Sequence, residues 1–373
     1  MKKKKILQVS VGGLGNGGTQ NIIMGIVRNL SSDFEFDILL FTNDIRYYDD
    51  EFLKYGEIFR IPTSDKKNKI MRKILQIIKP FRILIGTYKI LKRSGDYHAI
   101  HCHNELESGI CTLAAYFAGV KIRISHSHTN RDHFIRNNYI KYIYNKTLQL
   151  LTNKTSNIKI GCTEESFNSI FGNEYLSKKT SKVIYNSIDL EKFKKNNCGN
   201  NLKKINIVNV GSFSENKNQM FLIEMLPLMI KKIPNIKLKL VGFKDDYKQL
   251  LQKRVNSLGL NSEVDFLPPD SDIPSILEDA DLFIFPSLRE GFGIALLEAQ
   301  AMEVPCLVSD SVPKVVDVGL SEFLPLSKGK EVWAEKAVNI IEGNHKLKLN
   351  KKKLNKFSLR GYLNQIKEIY SSS

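Results

Sequence analysis

Short apolar runs of strand length alternate with helical patterns along most of the 373 residues. Residues 5–11, 36–41, 99–102, 121–126 and 158–163 read as strands in the first half of the chain. Residues 205–210, 238–241, 264–267 and 282–285 read as strands in the second half. Helices are expected over 108–117, after Glu164 and Ser166 through Phe171, from Met220, over 272–278 and from about Gly293. This alternation predicts parallel sheets, with ligands at the carboxyl ends of the strands. Pro80 is expected to divide the amphipathic stretch 64–97 into two helices. The polar stretch 194–204, KKNNCGNNLKK, reads as a linker between two domains.

Composition narrows the picture. The chain is long for one core and comfortable for two, with 42% hydrophobic and 25% charged residues, as in soluble globular proteins. Five scattered cysteines without a Cys-x-x-Cys argue for a reducing compartment. The lysines after Met1 lead into a strand pattern and not into a signal peptide. A net charge of +17 seeks anions. Nucleic acid is disfavoured because no basic–aromatic recognition motif is present. Nucleotides and an anionic membrane surface remain as partners. The second is suggested by Lys66, Lys67, Lys69, Arg72, Lys73, Lys79, Arg82, Lys89, Lys92 and Arg93, interleaved with isoleucines and leucines. The same pattern equally suits a core helix with solvated charges.

Three stretches carry candidate chemistry. In ADLFIFPSLREGFGIALLEAQ, a strand leads through Gly291-Phe292-Gly293 into a helix. Glycines at a helix start allow close approach to unpaired N–H groups, which attract phosphate. Glu298, one turn after Ile294, can accept bonds from both hydroxyls of a sugar diol. The plainer reading is a tight turn followed by a solvated glutamate. Near the N-terminus, Gly13-x-Gly15-x-x-Gly18 matches the dinucleotide fingerprint, which keeps an NAD-linked oxidoreductase open. Against it, the second strand closes on Thr42-Asn43, and only Asp44 beyond is acidic. Lastly, His101, His103, His126, His128 and His133 invite a metal reading, but no carboxylate partner is evident and Cys102 faces the other way, so no metal is assigned.

Glu290 and Glu298, enclosing Gly-Phe-Gly within FPSLREGFGIALLEAQAMEVPCLVSD, resemble the paired-glutamate motif of retaining GT-B glycosyltransferases. The resemblance is to the glycosyltransferase family 4-like group that builds capsular and extracellular polysaccharides. It implies an α/β chain of two Rossmann-like doubly wound domains facing a cleft. Residues 1–190 would form the acceptor-side domain and 191–356 the donor-binding domain, with 357–373 a helix crossing back to the first. The partners implied are a nucleotide-sugar donor, most readily UDP-linked, and a glycan or lipid-linked saccharide acceptor. The implied reaction is retaining and metal-independent and takes no cofactor. The setting would be cytoplasmic, peripheral at the inner face of the cell membrane.

By matching position, Glu298 falls on the donor ribose, while Glu290, Gly291, Phe292, Gly293 and Ile294 fall on donor sugar and diphosphate. Gly15, Asn16, Gly17 and Gly18 resemble the family's N-terminal glycine loop, between diphosphate and acceptor. His128, followed by Thr129, best matches the histidine beside the donor sugar, with His126 second. Lys217 keeps one diphosphate-binding cation, whereas Ser212 stands where arginine is usual. Gly242 and Phe266-Leu267-Pro268 resemble the nucleobase segments. Asn186, Ile188, Asp189 and Phe193 match the domain-crossing motif, with Ser187 in place of glycine. Glutamine at 298 is expected to weaken donor binding without disturbing the fold. A non-catalytic glycan- or membrane-binding GT-B module is the other rival, opposed by the joint presence of His128, Lys217, Glu290 and Glu298.

Overall fold

The computed structural model describes residues 3–63, 69–129, 139–195, 204–243 and 245–372. The chain divides into two compact units, Met1–Asn186 with Arg360–Ser373, and Ser187–Leu359.

In the first unit, the described residues form strands β1 (Lys4–Ser10), β2 (Phe34–Leu40), β3 (Ile58–Arg60), β4 (Tyr97–Cys102), β5 (Ile122–Ser127), β6 (Ile158–Gly161) and β7 (Ser181–Val183). They make one parallel sheet in the order β3-β2-β1-β4-β5-β6-β7. The second unit holds β8 (Ile205–Val210), β9 (Ile236–Val241), β10 (Val264–Leu267), β11 (Leu282–Phe285), β12 (Cys306–Ser309) and β13 (Ser321–Leu324). These are also parallel, in the order β10-β9-β8-β11-β12-β13. Central strands read as unbroken apolar runs because helices cover both faces of such sheets; all four residues of β11, for example, are buried.

The first unit carries helices α1 (Gly18–Leu30), α2 (Asp49–Phe52), α3 (Lys69–Arg93), α4 (Ser108–Ala118), α5 (Tyr139–Thr155) and α6 (Glu164–Phe171). The second carries α7 (Gln219–Ile230), α8 (Asp245–Ser257), α9 (Ile273–Glu278), α10 (Ile294–Ala301), α11 (Gly329–Ile341) and α12 (Lys351–Asn355). The last helix, α13 (Leu359–Ser371), packs in the first unit, where Tyr370 meets Phe34 edge-on at 5.4 Å.

One sequence expectation fails here. Pro80 lies inside the single helix α3 and does not divide it. An interior proline removes one backbone bond at a cost of about 3 kcal/mol. Burial offsets this, since Ile83, Thr87 and Leu91, spaced four apart, all face the core. Lys79, beside the proline, pairs with Glu107 at 3.0 Å. Of the expected linker, residues 196–203 lie outside the described residues. Where the chain leaves and re-enters the second unit, Ile188 N–H donates to Phe357 O and Leu359 N–H donates to Ile188 O, both at 3.0 Å.

In each sheet the strand order reverses between two central neighbours, β1 and β4 in one and β8 and β11 in the other. Such switch points open a crevice at the strands' carboxyl ends. Beside the second, where β9 ends, Gly242 sits so close that a Cβ there would lie 2.2 Å from Gly211 O. Gly242→Ala is therefore expected to destabilise by about 1–3 kcal/mol and to shift the loop after β8, which thermal unfolding checks.

Candidate functional site

In the second unit, the loops after β8 and β11 are stapled to each other. Leu288 N–H donates to Asn216 O at 2.7 Å, Asn216 Nδ2 to Arg289 O at 2.9 Å, and Asn218 Nδ2 to Pro286 O at 3.2 Å. Gln219, fully buried at the start of α7, steadies the first loop from beneath. Its Nε2 donates to Ser212 O and its Oε1 accepts from Ser214 N–H. The sequence reading missed this glutamine; the only signal was a polar residue opening an apolar helix.

The stapling brings Lys217 and Glu290 together, 73 residues apart in sequence, with Lys217 Nζ donating to Glu290 Oε1 at 2.5 Å. Both side chains are largely buried, and the ammonium stands 5.0 Å from the centre of the Phe285 ring. Gly293 precedes α10 with a left-handed backbone at φ 102°, a conformation that favours glycine. The first-turn N–H groups of α10 lack intrahelical acceptors and present partial positive charge. Phe292 turns inward and meets Phe357 edge-on at 5.8 Å, so its contribution to a ligand is its backbone.

Glu298, one turn into α10, is partly open to solvent yet closely surrounded by protein. Burial pushes its carboxyl up to about 7 from the ordinary 4.5, and the Lys192 ammonium draws it slightly back. Among the described residues, no hydrogen-bond partner engages that carboxylate.

In the first unit, the glycine loop links β1 to α1, with Gly17 as the N-terminal cap residue and no side-chain cap. Tyr48 Oη donates to Asn21 Oδ1 at 2.7 Å and lies 3.3 Å from Asn16 Oδ1. A Cβ on Gly13 would lie 3.0 Å from Arg46 Cδ, so an arginine overlies the loop. Its guanidinium pairs with Asp44 at 3.0 Å. Arg46, too, went unnoticed in the sequence.

Beside this loop, at the ends of β4 and β5, four buried histidines stack. The rings of His101 and His103 have centroids 4.1 Å apart, as do those of His126 and His128. His101 Nδ1 lies 2.7 Å from Tyr370 Oη and its Nε2 3.1 Å from His126 Nδ1. His103 Nε2 lies 2.9 Å from Gln8 Oε1 and its Nδ1 2.8 Å from His128 Nε2. Gln8 Nε2 completes the network by donating to Tyr370 Oη at 2.8 Å.

Burial lowers the pKa of all four rings, His101 to about 3 and His128 to about 4, with His103 and His126 held well below the ordinary value. Nearby imidazoles add to the lowering at His101, His103 and His126, whereas a side-chain hydrogen bond with Asn186 opposes it at His128. His101, His103 and His126 do converge, with candidate ligand nitrogens within 4.8 Å of one another. Those nitrogens are spent on each other, on His128, on Gln8 and on Tyr370, apart from His126 Nε2. His133 lies outside the described residues.

Comparison with known proteins accords with this architecture. Residues 191–323 match the family described as Glycosyl transferases group 1. EpsF of Bacillus subtilis (strain 168) is 29% identical over 348 residues, covering 89% of this chain and 86% of its own. The capsular polysaccharide biosynthesis glycosyltransferase CapH of Staphylococcus aureus is 26% identical, with 96% of each chain covered. Among solved structures, Anabaena Alr3699/HepE in complex with UDP and glucose superposes with a TM-score of 0.76 at 18% identity, over 99% of this chain and 100% of that one. Residues 191–323 thus form a Glycosyl transferases group 1 domain, and the two parallel-sheet units have the GT-B fold.

Proposed function

We propose that the protein transfers a sugar from a UDP-linked donor to a glycan or lipid-linked saccharide acceptor in surface polysaccharide synthesis, with retention and without a metal. The observation that carries this is the Lys217–Glu290 pair held at the β8/β11 switch point beside the N-terminus of α10. A departing diphosphate needs charge compensation, which Lys217 and the first-turn N–H groups of α10 supply. Glu298 takes the ribose diol, Glu290 and the Gly291–Gly293 backbone meet the donor sugar, and Gly242 lies beside the base. Ser212 offers no cation, so Lys217 carries the side-chain share of the compensation. On the first unit, the Gly15–Gly18 loop and His128 serve the transferred sugar and acceptor.

Support comes from relatives and fold neighbours. A 26% identical Escherichia coli relative is a UDP-Gal:alpha-D-GlcNAc-diphosphoundecaprenol alpha-1,3-galactosyltransferase, and the Anabaena neighbour was also solved with UDP-glucose. A thermal-shift panel of nucleotide sugars tests the proposal. At saturation the right donor stabilises by a few kcal/mol, and a panel in which NAD alone stabilises would favour the oxidoreductase instead. His128→Ala is expected to lower turnover more than UDP affinity, because a group beside the reacting carbon matters most as charge develops there. A change confined to the donor KM counts against that placement.

The acceptor reading extends to the cytoplasmic face of a membrane. Among the described residues no helix is long and apolar enough to cross one. On α3, however, Ile78, Phe81, Ile85 and Tyr88 form an exposed apolar stripe, with Lys89, Lys92 and Arg93 exposed along the same helix. Lys66 and Lys67 lie outside the described residues, as do the side chains of Lys69, Arg72 and Lys73. Co-sedimentation with anionic but not neutral vesicles is expected. Salt should weaken it as the Debye length falls from about 10 Å at 0.1 M to about 3 Å at 1 M. Phe81→Ser with Ile85→Ser should abolish it and spare the fold, both residues being exposed; a folded variant that still sediments removes α3 from the membrane contact.

A further inference from the structure

Gln8 is a lone fully buried amide in the apolar strand β1, and the charge chemistry of the donor site gives it no role. We infer that Gln8 is a positioning residue whose one amide fixes the tautomers of His101, His103, His126 and His128. It thereby makes His128 Nδ1 a hydrogen-bond acceptor and His126 Nε2 a donor. The tautomer assignment stands on the first unit alone; its use in sugar transfer rests on the glycosyltransferase reading above.

The argument is one of donors and acceptors. A neutral imidazole has one nitrogen of each kind, and burial keeps these four neutral. Gln8 Oε1 can only accept, so His103 donates to it from Nε2 and must accept at Nδ1. His128 therefore donates from Nε2 and is left with a bare Nδ1. On the other arm, Gln8 Nε2 donates to Tyr370 Oη, and the hydroxyl passes its proton's bond to His101 Nδ1. His101 then donates from Nε2 to His126 Nδ1, which leaves the proton of His126 on Nε2.

Both arms end on a buried ring nitrogen, His128 Nδ1 beside the Asn186 side chain and His126 Nε2 without a partner, on rings whose centroids are 4.1 Å apart. One end accepts and the other donates. A hydroxyl can answer both, whereas a phosphate oxygen cannot donate and an ammonium cannot accept. Reversing the Gln8 amide would invert all four tautomers together, so the stack has two states and Gln8 selects between them.

Imidazole-15N labelling of the full chain, with ring signals assigned by single His→Gln variants, tests this by long-range 1H–15N correlation near neutral pH. In the parent, all four rings are expected to carry the proton on Nε2. Gln8→Met, which keeps side-chain volume but not the amide, should turn His103 and His128 into tautomer mixtures. It should also lower turnover about tenfold or more while UDP affinity stays within about twofold. Tyr370→Phe interrupts only the other arm and should leave the His103 and His128 signals as in the parent. A parent His128 protonated on Nδ1, or a Gln8→Met protein with parental His128 signals and turnover, overturns the inference. Should Gln8→Met not fold, the parent spectrum and Tyr370→Phe still decide. A parent with the expected spectrum but no turnover of any sugar nucleotide would overturn the functional reading and leave the tautomers standing.

Discussion

Lys217→Met is expected to lower kcat/KM for the donor sugar nucleotide by about 100- to 1000-fold, the usual effect of removing one preorganised charge from a developing anion. The geometry makes Lys217 hard to replace. Its ammonium is held 2.5 Å from Glu290 and beneath it lies the Phe285 ring, while Ser212 supplies no second cation. Part of the effect comes from Glu290, whose side chain is only 10% exposed and would lose its counter-charge. The double variant with Glu290→Gln separates the two contributions, because it leaves neither charge stranded. Steady-state kinetics on the three proteins, with UDP affinity by calorimetry, measures each share. A Lys217→Met enzyme with parental kcat/KM would remove the lysine from the chemistry.

Glu298→Gln is expected to weaken UDP binding about ten- to a hundredfold, through loss of a charge-assisted contact to the ribose of about 1.5–3 kcal/mol. It should also do what the sequence alone gave no reason to expect and stabilise the free protein at alkaline pH. The sign follows from the carboxyl's position at about 7 when folded against 4.5 for the ordinary group. Between those values the folded state holds a proton that the unfolded state has lost, so stability falls as pH rises through that window. Above about pH 7 the folded carboxylate is ionised against its surroundings, at a cost of roughly 1–3 kcal/mol that glutamine does not bear. Denaturant unfolding should therefore show variant and parent alike near pH 4.5 and the variant more stable near pH 8. UDP affinity measured at the same two values should fall on acidification in the parent and change less in the variant, where UDP's own protonation is the same. Equal UDP affinity of parent and variant at the higher pH would end the ribose assignment.

Much of the second unit was legible because its information is local. The strands at 205–210, 264–267 and 282–285 and the helix from Ile294 fall where apolar runs and glycine turns place them. Periodicity and turn chemistry depend on neighbours in sequence, which one chain displays in full. Pro80 misled because propensity is a weak local term and the burial of Ile83 and Leu91 outweighs it.

By itself the sequence determined two parallel α/β units, the glycine-opened helix with Glu298 one turn in, and the pairs His101/His103 and His126/His128 at a spacing that puts each pair on one face of a strand. Only the tertiary structure decided what those residues meet. The parallel register of β4 with β5 sets His101 beside Ile124, which brings the two histidine pairs into one stack. Tyr370, from the last helix, closes that stack with Gln8 across 362 residues of sequence. Lys217 and Glu290 meet because β8 and β11 are neighbours in the sheet, although β9 and β10 intervene in sequence. Even the charge state of Glu298 was undecided until its surroundings were known, since a carboxyl's pKa is set by the solvent and charges that folding leaves around it and not by its position in the chain.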